Sequence, residues 1–195
     1  MLSLEESLKI LKETKALLEG HFILSSGLHS PKYVQCAQLM SKPHKANKIC
    51  ESLAEMIKKE IPDFDLILSP AMGGIIIGYE IGRLLKKETI FCERVKGKFK
   101  LRRGFKIKKR SKVLIVEDVI TTGKSSMECI KLIKNAQASL VGFATIIDRS
   151  TNKSLKIKKK IISHLKIDVP TFKKNQLPKD LKKISITTPG SRFIK

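Results

Sequence analysis

The sequence predicts an α/β domain in which a central parallel sheet is flanked by helices. Three observations carry that prediction. Short continuous apolar runs at residues 65–68, 89–92, 113–116 and 140–147 read as strands buried on both faces. Stretches at 75–85 and 125–135 lie between them and have the period and length of helices. The chain has 195 residues, enough for one core, and is read as one domain, 1–195. Strands and helices that alternate in this way build sheets that bind ligands at the carboxyl ends of their strands.

Taken in order, Ser3 followed by Glu6 is a capping box. It opens a predicted helix whose stripe of Leu4, Leu8, Leu11 and Leu18 stops at Gly20. Residues 21–24 and 32–38 read as extended, joined around the turn Ser25-Ser26-Gly27. Pro43 then opens a second helix that carries Ile49, Leu53, Met56 and Ile57. The alternating strands and helices come next. From Lys153 onward the chain is lysine-rich without a clear period, and Pro170, Pro178 and Pro189 break it into short pieces.

Charge is the unusual feature, with 40 Lys and Arg against 18 Asp and Glu for a net +22. An excess of this size asks for an anionic partner, nucleic acid first. Its distribution narrows the choice. Residues 1–95 and 113–152 are close to neutral, residues 96–112 hold ten basic and no acidic side chains, and residues 153–195 hold thirteen basic and two acidic. The start of the chain, with Glu5 and Glu6, lacks the layout of a secretory signal. The longest uncharged run, 66–79, is too short for a membrane span of about 20 residues. Cys36, Cys50, Cys92 and Cys129 show no metal-ligand spacing, so reduced thiols in a cytoplasmic protein are expected, with no membrane association.

The chemistry concentrates in residues 113–126. A buried strand ends in Glu117 and Asp118, and Thr121, Thr122, Gly123, Lys124 and Ser125 turn into a helix. Such a turn presents backbone N–H groups, hydroxyls and a helix N-terminus to one point, which suits a phosphate monoester. The carboxylates before it are acceptors only, which suits ribose hydroxyls or Mg²⁺. Gly123-Lys124-Ser125 invites a nucleoside-triphosphatase reading, but that loop needs a glycine where Asp118 stands.

Val-Leu-Ile-Val-Glu-Asp-Val-Ile-Thr-Thr-Gly-Lys-Ser, residues 113–125, resembles the phosphoribosyl pyrophosphate motif of the type I phosphoribosyltransferases. Residues 20–33 resemble the N-terminal signature of that family's orotate-using members, in which a hood of extended chain covers the pyrimidine. Ser69-Pro70-Ala71-Met72-Gly73-Gly74 is similar to their pyrophosphate loop, and residues 92–105 stand where they have a mobile catalytic loop. Asp148-Arg149 and the ending 188–192 match as well. There are departures. Gly73 and Ser25 stand where many members have lysines, and Val95 follows Arg94 where many have a lysine.

The resemblance implies the type I phosphoribosyltransferase fold, with a small hood from about 20–40 and the C-terminal tail and a mobile basic loop over about 94–110. It also implies transfer of ribose 5-phosphate from phosphoribosyl pyrophosphate to orotate, a pentosyl transfer of pyrimidine biosynthesis. Glu117 and Asp118 then take the ribose hydroxyls. Val119, Ile120, Thr121, Thr122, Gly123, Lys124 and Ser125 complete the phosphoribosyl pyrophosphate site with Met72, Gly73 and Gly74. Arg94, Lys98, Arg102 and Arg103 are the candidate catalytic cations, and the choice among Lys98, Lys100, Arg102 and Arg103 stays open. Thr121, Arg149 and Ser26 are the candidates for holding orotate, and His29 lies in the signature near them. Mg²⁺ is implied as cofactor, held mainly by substrate with no direct protein ligand, Asp118 reaching it through water. A homodimer with shared sites is implied too. Two rivals remain at this point: a purine phosphoribosyltransferase, and a nucleic-acid-binding regulator that has lost catalysis. The catalytic features weigh against the regulator, so nucleic acid is not expected as the partner.

Overall fold

The computed structural model describes residues 1–24, 26–151 and 159–188. Ser25, the lysines at 153, 156 and 158 and the predicted closing motif from Pro189 lie outside the described residues. Helix α1 spans Leu4–Glu13, and Ser3 and Glu6 form the reciprocal cap the sequence announces. It ends earlier than predicted. Lys15 takes a left-handed φ of 58°, Ala16 N–H donates back to Leu11 at 2.8 Å, and Leu18 belongs to strand β1, Leu17–Ile23. Strand β2, His29–Val34, pairs antiparallel with β1, and a short helix α2, Cys36–Met40, leads into α3, Pro43–Glu60, with proline in its first turn.

The remaining elements are β3 Leu66–Pro70, α4 Gly73–Leu85, β4 Glu88–Val95, β5 Lys98–Leu101, β6 Lys112–Ile120, α5 Lys124–Asn135, β7 Ser139–Asp148, β8 Ile161–Lys166, α6 Lys179–Lys182 and β9 Ile186–Thr187. Six strands form one sheet in the order β5-β4-β3-β6-β7-β8, parallel throughout except for β5, which returns beside β4 as a hairpin. A second sheet, β2-β1-β9, is the hood; β9 adds parallel to β1 with His21 opposite Ile186.

Two buried clusters lie on the two faces of the large sheet. Along β6, Leu114 and Val116 join Ile49, Leu53 and Ile77 of α3 and α4, while Val113 and Ile115 join Cys129 and Ile133 of α5. Apolar residues at every position of a strand are what a doubly covered sheet requires. Each fully buried Ile or Leu contributes roughly 1.5–3 kcal/mol of transfer free energy. The sheet is therefore a stiff platform, and the connections that leave its carboxyl edge start from fixed points.

Candidate active site

Three connections leave the carboxyl edge side by side, after β3, β6 and β7. Glu117 and Asp118 lie near the end of β6. Successive residues on a strand point to opposite faces, and this pair obeys the rule. Glu117 turns toward α5, where it accepts the Ser126 hydroxyl. Asp118 turns toward the start of α4: a Cβ added at Gly73 would lie 2.3 Å from Asp118 Oδ2. Glycine at 73 is thus the residue that lets this carboxylate lie against the helix. Burial pushes the Glu117 carboxyl up to about 7, against the opposing Ser126 hydrogen bond and with a further push from Asp118. Burial raises Asp118 as well, while backbone N–H groups pull it down. Thr145 Oγ1 donates to the Asp118 carbonyl at 3.0 Å and ties β7 to this point.

Beyond the pair, Val119 and Ile120 remain in β6, opposite Ile147 and Asp148, and Ile120 is core. Their part in the site is to carry the strand forward. The turn proper begins at Thr121. Gly123 has a φ of 70°, a left-handed conformation that glycine adopts without strain, and it caps α5. Thr122 and Lys124 are exposed at this helix start, and Lys124 N–H reaches Thr122 Oγ1 at 3.4 Å. Unpaired N–H groups of a first helical turn, hydroxyls and an ammonium are suited to a phosphate. At the neighbouring connection, Met72 is exposed, and Gly73 and Gly74 open α4, so a second helix N-terminus stands beside the first.

The basic segment is organised differently from expectation. Lys96 and Gly97, both at positive φ, form a tight turn that sends β5 back along β4. Arg94 makes a two-pronged ion pair with Glu128 of α5 at 2.9 and 3.0 Å and lies over the Phe99 ring at 4.1 Å. Arg102 and Arg103 both reach Glu93, at 3.7 and 3.4 Å. Lys98 is exposed and lines a cleft of about 1020 Å³ with Arg94, Thr122 and Lys124. Four further cations, Lys106, Lys108, Lys109 and Arg110, lie near Leu66 and Glu88, where β3 and β4 begin. The ten basic residues therefore do not face one phosphate site; the hairpin carries the chain away from it.

On the hood side, Arg149 follows β7, with its Nε buried and without a partner. Burial lowers its guanidinium from the ordinary value, with Tyr33 of β2 opposing that shift. Ser26 is exposed in the β1–β2 turn. His29 is buried against His21: His21 Nδ1 donates to the Ile184 carbonyl at 3.2 Å, which leaves its Nε2 to accept from His29 Nδ1 at 2.7 Å. Ser126, Glu128, Glu93 and Tyr33 are the residues that the sequence did not single out. Each acts through a contact made by the fold. The Lys96-Gly97 pair was the local signal for the hairpin.

A phosphate turn and an acidic pair on the carboxyl edge of a parallel sheet define a class, and it matches. Residues 38–180 match the phosphoribosyl transferase domain, and the chain belongs to that family. Its curated relatives narrow the class: it is 46% identical over 191 residues to the orotate phosphoribosyltransferase of Parvibaculum lavamentivorans, covering 97% of this chain and 98% of that one. Identity is 43% over 189 residues with the orotate phosphoribosyltransferase of Erythrobacter litoralis, covering 96% and 97%. The crystal structure of orotate phosphoribosyltransferase from Aeropyrum pernix superposes with a TM-score of 0.70 at 22% identity, over 82% of this chain and 92% of that one, and so shares the fold.

Proposed function

We propose that this chain transfers ribose 5-phosphate from phosphoribosyl pyrophosphate to orotate, releasing pyrophosphate and forming orotidine 5′-phosphate. The observation that carries it is the buried Glu117 and half-buried Asp118 placed directly before the Thr121–Ser125 turn, at the carboxyl edge of a phosphoribosyltransferase sheet. Full-length identity to orotate phosphoribosyltransferases chooses the base.

In this reading the Thr121–Ser125 turn holds the 5′-phosphate and the acidic pair takes the ribose hydroxyls. Met72, Gly73 and Gly74 receive the pyrophosphate on the α4 N-terminus. The bond from C1′ to the pyrophosphate oxygen breaks with positive charge growing on the sugar, and the carboxylates nearby stabilise that charge. Arg149, half-buried with its Nε buried and unpartnered, supplies the cation for the orotate carboxylate, and Ser26 and Thr121 complete the orotate site in this reading. Lys98 faces the cleft beside the phosphate turn, while Arg94, Arg102 and Arg103 are held by Glu128 and Glu93. For these arginines to meet the departing pyrophosphate, substrate oxygens must replace the carboxylates.

Among the described residues, no three His, Cys, Asp or Glu side chains converge as a metal cage. In this reading Mg²⁺ would be carried by the substrate's own oxygens, and Asp118, at the end of β6, would reach it through water. When bound there, the ion offsets negative charge on the pyrophosphate as it leaves.

Among the described residues, no helix is long and apolar enough to cross a membrane. A cytoplasmic setting agrees with four free cysteines, two of which, Cys92 and Cys129, hold their sulfurs 3.5 Å apart unbonded. A homodimer is supported by Met72, Ile76 and Tyr79, which follow one face at the start of α4 and are 81%, 56% and 67% exposed. Loss of orotate absorbance with phosphoribosyl pyrophosphate and Mg²⁺ tests the activity. Turnover with adenine or guanine and none with orotate overturns the choice of base; no turnover with any base overturns the enzyme reading.

A further inference from the structure

We propose that the edge of the large sheet opposite the active site, where the parallel strands begin, binds the phosphate backbone of a nucleic acid. Lys106, Lys108, Lys109 and Arg110 stand there, exposed, around a cleft of about 380 Å³. Among the described residues none of the four pairs with a carboxylate, whereas Arg94, Arg102 and Arg103 at the other end of the hairpin all do. The cleft's own acids do little to neutralise them. Asp65 spends its carboxylate on the Lys112 backbone N–H at 2.8 Å, and the Lys112 ammonium goes to Asp63. Glu88 is the remaining carboxylate for four cations.

The backbone that carries these cations is held in place. Arg110 N–H donates to the Gln137 carbonyl at 2.9 Å, and Ser139 N–H donates to the Ser111 carbonyl at 2.8 Å, which fastens the basic turn to the connection between α5 and β7. Ile107 is buried in the core between them. A ligand therefore meets basic side chains on a fixed backbone, with little backbone left to order. Lysines such as Lys134, in the last turn of α5, have a local explanation in the negative end of the helix dipole. Residues 106–110 lie on no helix, so that explanation fails for them.

The shape favours an extended polyanion over a small one. Lys86, Lys134 and Lys159, on the neighbouring connections, are exposed along the same edge. At about 4.8 Å per strand, the five parallel strands that begin at this edge span roughly 19 Å, which is close to six base pairs at 3.4 Å each. None of the large exposed apolar side chains among the described residues lies on these connections, so there is nothing to enter a lipid surface or to stack on bases. Recognition then runs through phosphates and carries no base preference.

The test uses the full chain and a fluorescein-labelled DNA duplex of about 20 base pairs, read by anisotropy. Four phosphate contacts predict a fall in affinity of about 150-fold between 50 and 200 mM salt. The variant K106Q/K108Q/K109Q/R110Q should reduce the slope of log affinity against log salt by about 3 to 4 and weaken binding at least tenfold. Its circular dichroism and orotate turnover should match the parent. Equal binding by parent and variant overturns the proposal, and so does displacement of the duplex by phosphoribosyl pyrophosphate, which would place it in the active site. Retention of the parent on phosphatidylglycerol vesicles without duplex binding would also overturn it, in favour of a membrane surface.

Discussion

Replacing Glu117 by Gln should make the protein more stable and less active, with a stability gain that builds from about pH 4.5 and is complete above about 7. Burial lifts the Glu117 carboxyl from 4.5 to about 7. Between those values the folded chain binds more protons than the unfolded one, so stability falls as pH rises through the window and the loss is complete above about 7. At about 1.4 kcal/mol per unit, the ionised carboxylate costs about 3 kcal/mol at pH 8 and less than 1 kcal/mol at pH 5. Glutamine keeps the shape and the hydrogen-bonding partner for Ser126 but carries no charge. For a chain of this size each kcal/mol moves Tm by about 2–4 °C, so the variant's advantage should widen by roughly 5–10 °C between pH 5 and pH 8. Thermal scans of both proteins in matched buffers, without substrate or Mg²⁺, measure it directly. Turnover should drop about 10- to 150-fold, as charged hydrogen bonds to the ribose are lost. A Tm difference that is the same at both pH values, or a variant less stable at pH 8, refutes the assignment of a buried, strained charge.

Three further outcomes are expected from the geometry. Glu128→Gln removes the carboxylate that holds Arg94, a part-exposed pair worth about 1 kcal/mol, so KM for phosphoribosyl pyrophosphate should fall up to about fivefold with kcat nearly unchanged. A raised KM in steady-state kinetics would show that Glu128 assists binding. Gly73→Ala drives a methyl group into Asp118 at a cost of about 1–3 kcal/mol; kcat/KM should fall at least tenfold while circular dichroism is unaltered, and full activity would mean that Asp118 swings aside freely. Ile76→Glu places a charge in the apolar stripe of α4 and should yield a monomer by sedimentation velocity; a dimer of wild-type stability puts the interface elsewhere.

The strands at the centre of the sheet were legible because burial on both faces leaves an unbroken apolar run, as in Val113–Val116. β8 was not. Its sequence, Ile-Ile-Ser-His-Leu-Lys, sits at the sheet edge among lysines, where neither a continuous run nor a clean alternation survives. Leu18 misled because it falls seven residues after Leu11, a helical interval, while the helix is stopped by a lysine in a left-handed conformation that no glycine announces. In the site, the acidic pair and the phosphate turn were legible because they are contiguous in sequence. Ser126, nine residues from Glu117, and Glu128, 34 from Arg94, gain their partners only when α5 folds back on the sheet. The basic segment shows the opposite failure. Its residues are neighbours in sequence, yet one reversal at Lys96-Gly97 sends Lys98 and Lys106 to opposite edges.

The hood has a temporal consequence. Its middle strand, β1, takes β2 as one neighbour from the adjoining residues, but its other neighbour, β9, is synthesised after every strand of the large sheet. A chain emerging from the ribosome can therefore assemble the large sheet while one side of β1 still lacks its partner, and His21 still lacks the carbonyl of Ile184. Completion of the three-stranded sheet then arrives last in the life of each molecule. Truncation within the final stretch would be expected to leave a folded platform whose roof is open, a state distinguishable from global unfolding by hydrogen exchange confined to β1 and β2.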